Sequence, residues 1–310
     1  MKVLIVDEMH PSLVPMLKER DFEVFYEPSF KLEDVIAYHS DIEGLVIRSK
    51  FKINKDFLDQ LPNLKFIARA GAGLDLIDLP ACAEREIAVF SANEANKVAV
   101  AEHVIGMLLS LLHKIHLGNA QVKNNIWDRE GNRGQELSAK TVAIIGLGNN
   151  GRATAERLSA FGCQVMAYDI HQYGFQTHLI HEASLQEVFD RADIVSLHIP
   201  LTDLTKGWVN AEFFSQFKKP IILANIARGE IVNLKDLADA LENGQVAGAC
   251  LDVLENEKIN KLSPEQRATF DRIIKNENVI LSPHVAGWST ESYEKINQVL
   301  VDKIDRFMYS

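Results

Sequence analysis

Two sets of residues in this chain are spaced for chemistry. The first is the run Gly146-Leu147-Gly148-Asn149-Asn150-Gly151, entered from the apolar segment Thr141-Val142-Ala143-Ile144-Ile145 and left through a helix expected to start near Arg152. In a G-x-G-x-x-G of this kind the first glycine makes a tight turn, the second lets the backbone approach a pyrophosphate, and the third lets the helix pack on the strand. The free N–H groups and partial positive charge at the helix start suit phosphate. A second apolar strand, 164–168, ends at Asp169, 18 residues beyond Gly151, where an acid can bond ribose hydroxyls. Asp169 would repel a 2′-phosphate, and Ile170 and His171 offer no arginine to hold one. The pattern therefore predicts NAD rather than NADP.

The second set is Arg228 and His284, each just past an apolar strand. Side chains at such ends reach the cleft of a parallel sheet. A guanidinium is a fixed cation that can oppose negative charge growing on an oxygen. An imidazole titrates near neutrality and can move a proton. Beside a nicotinamide, the pair supplies what hydride transfer to a carbonyl carbon needs: a cation for the charge on oxygen, and a proton.

Positioning these groups takes sheets. Residues 1 to about 95 alternate strands (3–6, 23–26, 44–48, 64–68 and 87–90) with helices (12–20, 32–39 and 54–60), which predicts a parallel sheet with helices on both faces. A long helix is expected from 96 to about 118, with Val98, Ala101, Val104, Ile105, Leu108 and Leu112 at helical spacing, and a polar loop over 127–137. A second array follows, with strands at 194–198, 221–225, 249–253 and 279–282 and a helix over 234–242. The last helix starts near Thr290, and its apolar face of Ile296, Val299, Leu300 and Ile304 is expected to return to the first domain.

Composition narrows the function classes. A chain of 310 residues is long enough for two cores. A net charge of −10 argues against non-specific nucleic-acid binding and asks any anionic substrate for a locally basic pocket. Arg48-Ser49-Lys50 and Arg69-Ala70-Gly71-Ala72-Gly73 are strand ends that could supply one, the second with small residues expected to leave backbone N–H groups open to an anion. Cys82, Cys163 and Cys250 show no metal spacing and are expected reduced in a cytoplasmic protein, with no metal site. The chain opens at once on a strand, so no signal peptide is expected, and the apolar helix near 98–112 carries Glu102, His103 and Ser110, too polar for a membrane span.

Taken in order, the strand ends resemble those of the D-isomer-specific 2-hydroxyacid dehydrogenase family. The resemblance rests on Gly146 to Gly151, Asp169, Asn225-Ile226-Ala227-Arg228-Gly229, Leu251-Asp252-Val253 and Ser282-Pro283-His284-Val285-Ala286-Gly287. Val100-Ala101-Glu102-His103 and Ser196-Leu197-His198-Ile199-Pro200-Leu201-Thr202 extend it over nearly the whole chain. It implies an α/β protein of two doubly wound parallel-sheet domains: a flavodoxin-like substrate domain (1–97 plus 288–310) and an inserted Rossmann NAD domain (98–287), with the active site between them. It makes Arg228 the substrate-binding arginine, His284 the acid/base and Glu257 the carboxylate paired with that histidine. It puts Asn149 and Asn150 at the pyrophosphate, Asp252 at the nicotinamide end, Ile226 to Arg228 and His284, Ala286 and Gly287 along the nicotinamide, and His198 and Pro200 along the cofactor.

Glu257 departs from the family pattern: Lys258 follows it where proline is usual, and Glu255 is a rival two residues away. The 27 residues from Glu257 to His284 exceed the family's spacing, and the excess around 264–268 reads as an inserted helix.

Within the family, Arg48-Ser49 with Arg69-Ala70-Gly71-Ala72-Gly73-Leu74-Asp75 most resembles the 3-phosphoglycerate dehydrogenases of serine biosynthesis, where the two arginines would hold the phosphate. Glyoxylate or hydroxypyruvate are the alternative substrates. A formate-dehydrogenase-like reading is disfavoured, because that branch has glutamine where Glu257 stands. A non-enzymatic NAD-sensing protein, like the family's transcriptional corepressors, is the alternative of another class. The chain ends at Ser310, just after the last helix, so a regulatory extension is not expected. A homodimer through the NAD domain is what the family suggests, with the helix from Val98 and the loop at Trp127 as contributors.

Overall fold

The computed structural model describes residues 1–308, which divide into two compact units: 1–96 with the returning segment from Trp288, and 97–287.

In the first unit the strands are β1 (Lys2–Ile5), β2 (Glu23–Tyr26), β3 (Gly44–Ile47), β4 (Phe66–Arg69) and β5 (Ala88–Ser91). They form one parallel sheet in the order β2-β1-β3-β4-β5. The order reverses between β1 and β3, the switch point of a flavodoxin-like sheet. Both faces are covered. Leu4, Val6, Leu45 and Ile47 pack with Phe57 and Leu58 on one side, and Val3, Ile5, Val46 and Phe66 pack with Leu13 and Leu17 on the other. The second group also holds Ile296, Leu300, Val301 and Ile304 of the helix Thr290–Met308, so that helix packs on this sheet as its periodicity predicts.

In the second unit the strands are β6 (Thr141–Ile145), β7 (Gln164–Tyr168), β8 (His181–Glu182), β9 (Ile194–Leu197), β10 (Ile221–Asn225), β11 (Val246–Leu251) and β12 (Val279–Leu281). They pair in parallel in the order β12-β11-β10-β9-β6-β7-β8. That is a Rossmann order extended by one strand, with its switch point between β6 and β9. Of these only β8 is absent from the sequence reading: two residues are too few to show alternation.

Two helix boundaries differ from expectation. The helix after the glycines starts at Asn149, three residues before Arg152, because Gly146 takes φ +93° and completes the turn early. The long helix stops at Leu112 and resumes only at Ile115–Lys123, bent by 63°. Lys114 is left-handed there, and the carbonyl of Leu112 accepts the Gln135 N–H (2.9 Å) instead of continuing the helix. Among the described residues no single helix is long and apolar enough to cross a membrane.

Candidate functional site

Most of the residues singled out in the second unit lie just past the carboxyl ends of parallel strands. Gly146 follows β6, Asp169 follows β7, His198 follows β9, Ile226 to Arg228 follow β10, Asp252 follows β11 and His284 follows β12. Ligands of open parallel sheets bind along this edge.

The glycine turn is built for close approach. A Cβ on Gly151 would lie 2.0 Å from the carbonyl oxygen of Gly146, so any side chain there would push the helix off the strand. A Cβ on Gly148 would meet nothing within 4 Å; the space in front of that backbone is open to a ligand. The first N–H groups of the helix Asn149–Ser159 have no intrahelical acceptor. Asn150 Oδ1 is buried without a partner. The Asp169 carboxylate is fixed by the N–H groups of Leu147 (2.7 Å), His171 (2.8 Å) and Gln172 (3.0 Å). Turn, helix start and anchored acid fit a dinucleotide with an unphosphorylated ribose. At the switch point, a Cβ on Gly146 would lie 2.7 Å from the carbonyl oxygen of His198, so the two loops touch. His198 Nε2 shares a hydrogen bond with Ser196 Oγ (2.9 Å) and its Nδ1 is buried without a partner. Burial pushes its imidazole down to about 3, so it is neutral. Pro200 is exposed, and its carbonyl accepts the Thr205 hydroxyl (2.7 Å).

His284 is held by its turn. It takes φ +56°, and its N–H donates to the Asp252 carbonyl (2.8 Å). The Asp252 carboxylate accepts the N–H groups of Val285 (2.9 Å) and Ala286 (2.8 Å) and the hydroxyl of Ser282 (2.6 Å). His103 Nε2 lies 2.9 Å from that hydroxyl. Asp252 has no exposed side-chain surface; through these bonds it shapes the turn that presents His284. Ile226, Ala227 and Ala286, expected along the nicotinamide, are buried, with at most 9% of each exposed.

The choice between Glu255 and Glu257 is geometric. Glu257 Oε1 lies 2.8 Å from His284 Nδ1, each side chain about half exposed. Glu255 instead accepts the Leu234 N–H (3.1 Å) at the start of the helix Leu234–Glu242, and burial pushes its carboxyl up. The inserted helix, Pro264–Lys275, is present, with Ser263 and Gln266 forming a capping box. Its Phe270, with Leu254, Ile259 and Leu281, walls a cleft of about 380 Å³ beside the His284–Glu257 pair.

Arg228 is half-buried and extended after β10. Asn225, buried, accepts the Ala227 N–H (3.1 Å) and donates to the Arg228 carbonyl (2.9 Å), locking the turn. The next residue must be glycine: a Cβ on Gly229 would lie 1.9 Å from the Leu254 carbonyl group.

In the first unit, Arg48 follows β3 and Arg69 ends the adjacent β4. Gly71 carries φ +148°, and a Cβ there would lie 1.6 Å from Arg69 Nη1, so glycine makes room for the arginine to fold over its own turn. The row of open N–H groups is shorter than expected. The Ala70 N–H donates to the Ile47 carbonyl (2.8 Å) and the Gly71 N–H to the Arg69 carbonyl (2.9 Å), while those of Ala72 and Gly73 have no partner among the described residues.

Three supporting residues were not given roles from sequence. Asp7, buried after β1, accepts the N–H groups of Arg48 (2.6 Å) and Ser49 (3.2 Å) and fixes that turn. It is an acid closing an apolar strand, the signal that had marked Asp169. Ser282 and His103 support the His284 turn from positions 179 residues apart, which no local pattern connects.

Residues 105–286 match the model of the D-isomer specific 2-hydroxyacid dehydrogenase, NAD binding domain. Among named relatives, the D-3-phosphoglycerate dehydrogenase of Rattus norvegicus is 34% identical over 299 residues, 96% of this chain and 54% of that protein. The chain thus spans about half the length of the relatives it matches. Among solved structures, D-lactate dehydrogenase from Aquifex aeolicus complexed with NAD and lactic acid superposes with a TM-score of 0.84 at 26% identity, covering 100% of this chain and 96% of that one. The acyclic imino acid reductase Bsp5, in complex with NADPH and D-Arg, superposes with a TM-score of 0.86 at 26% identity, covering 100% and 97%. With its fold, its glycine turn and the matched domain in agreement, the chain belongs to the D-isomer specific 2-hydroxyacid dehydrogenase family.

Proposed function

We propose that this chain is an NAD-dependent dehydrogenase of a D-2-hydroxy acid, with D-3-phosphoglycerate as its substrate. The observation that carries the reading is the 2.8 Å contact between His284 Nδ1 and Glu257 Oε1 at the end of β12, in the unit that bears the dinucleotide turn. With Nδ1 engaged, Nε2 is the atom left to move a proton. In reduction His284 gives that proton to the substrate oxygen, and in oxidation it takes it back. The fork of Arg228 holds the carboxylate and carbonyl oxygen and opposes the charge that grows on oxygen. Bound NAD(H) supplies or accepts the hydride at C2.

Arg48 and Arg69, on adjacent strand ends, support the phosphate, because two guanidiniums can meet several of its oxygens. That substrate would place the reaction in serine biosynthesis. The anchored Asp169 supports NAD over NADP. A homodimer is supported by the helix Ile115–Lys123, which buries no residue and leaves Ile115 and Val122 exposed beside Ile126 and Trp127. Free, buried cysteines support a cytoplasmic setting, and the net charge speaks against a nucleic-acid partner.

The test is NADH and NADPH oxidation by the purified chain with 3-phosphohydroxypyruvate, hydroxypyruvate, glyoxylate and pyruvate. NADH with the phosphorylated substrate should give the highest kcat/KM, and Asp169→Ala should narrow the gap to NADPH. A higher value with glyoxylate or hydroxypyruvate makes the chain a reductase of those acids. Binding of NADH with no turnover on any substrate would leave the NAD-sensing reading.

A further inference from the structure

Arg48 is more than a charge on a turn. Its Cζ lies 4.7 Å from the centroid of the Trp288 ring, within cation–π range. The indole is itself fixed. Tyr293 packs on it at 4.9 Å between centroids, and His10 meets Tyr293 edge-on at 5.5 Å. Asn297, fully buried, donates to the His10 carbonyl (3.0 Å) and holds that end of the row. Just after Trp288, Ser289 and Ser292 exchange hydrogen bonds (2.9 and 3.0 Å) that set the start of the helix Thr290–Met308. The other side of Arg48 is held by Asp7, but through the main chain only. Among the described residues no carboxylate pairs with the Arg48 guanidinium. A half-buried guanidinium lying over an indole ring and paired with no carboxylate keeps N–H donors for something else. Half of Trp288 is exposed, so the stack borders open space.

We propose that Trp288 is a positioning residue for Arg48: the indole holds the guanidinium flat and aims its N–H edge at a second anionic group on the substrate, so that 2-oxo acids carrying such a group are selected. The inference rests on the reading that Arg48 serves the substrate. A phosphate and a distal carboxylate share the required chemistry, a planar pair of oxygens for the fork.

The experiment compares wild type, Trp288→Leu, Trp288→Phe and Arg48→Leu on 3-phosphohydroxypyruvate, oxaloacetate and pyruvate, with NADH affinity as the check on folding. Losing the stack should raise KM in Trp288→Leu about 3–30-fold for a substrate with the second anion, with kcat and the pyruvate constants little changed. Trp288→Phe, which restores a ring face, should recover most of that rise. A rise for the phosphate alone or the carboxylate alone supports the proposal and names the anion. An equal change on all three substrates, or no rescue by phenylalanine, overturns it. If Arg48→Leu also leaves the preference untouched, the underlying assignment of Arg48 fails; if Arg48→Leu removes the preference and Trp288→Leu does not, only the role of Trp288 fails.

Discussion

His198 gives the chain a pH-dependent stability whose size follows from its surroundings. Its ring nitrogens reach only Ser196 Oγ, with Nδ1 buried and unpaired, and burial pushes the imidazole from 6.5 down to about 3. A histidine depressed on folding binds a proton in the unfolded chain first. Stability is therefore lost as pH falls through the unfolded value of 6.5 and goes on falling until the folded group protonates near 3. At pH 5 the unfolded histidine is almost fully protonated and the folded one is not, which lowers stability by about 2 kcal/mol relative to pH 8. The figure is insensitive to the folded value so long as that lies well below pH 5. The perturbation is His198→Gln, whose amide keeps a partner for Ser196 and does not titrate. The assay is urea unfolding at pH 8 and pH 5 followed by Trp208, which packs edge-on against Phe213 in the same unit. Other titrations are common to both proteins and cancel in the comparison. Wild type should lose about 2 kcal/mol more than His198→Gln between the two pH values. Equal losses would refute the reasoning, and with it a neutral His198 against the glycine turn.

The remaining expectations concern the chemistry. Arg228→Lys keeps the charge but loses the planar fork, so kcat/KM should fall by roughly 10²-fold or more while NADH affinity, read by fluorescence titration, stays put; a matching loss of NADH affinity would move Arg228 to the cofactor. Glu257→Gln should cut kcat by about 10–10²-fold by removing the negative charge behind His284, with stopped-flow hydride transfer showing the loss in the chemical step. Glu255→Gln should leave kcat within about twofold and should not lower thermal stability at neutral pH, since burial opposes that carboxylate's charge and the amide oxygen can still accept the Leu234 N–H; the reverse ranking of the two variants in kcat would show that the histidine's working partner is Glu255.

Much of this arrangement is legible in the chain itself. Strand, glycines, helix, strand and Asp169 are one local unit, and each residue type there answers a steric or electrostatic demand that acts within a few residues. The returning helix was readable for the same reason: Ile296, Leu300 and Ile304 mark one face wherever the helix packs. Other features lie beyond any local pattern. The family resemblance pointed to Glu257 but left Glu255 as a rival two residues away; the turn after β11 sends one carboxylate to the Leu234 N–H and the other to His284. The donors that fix Asp252 are equally hidden from the sequence: the segment after β12 brings the Val285 and Ala286 N–H groups and the Ser282 hydroxyl onto it, and a buried carboxylate stays where its donors are. The break at Lys114 and the occupied N–H group of Ala70 are of the same kind: a partner from elsewhere in the fold claims a group that the sequence leaves open. Sequence by itself determined the dinucleotide turn and the strand ends, because periodicity and glycine sterics are local, and the family resemblance named the residues on those ends that could do the chemistry. Only the tertiary structure decided which polar group satisfies which, because hydrogen bonds in the interior are settled between segments distant in the chain.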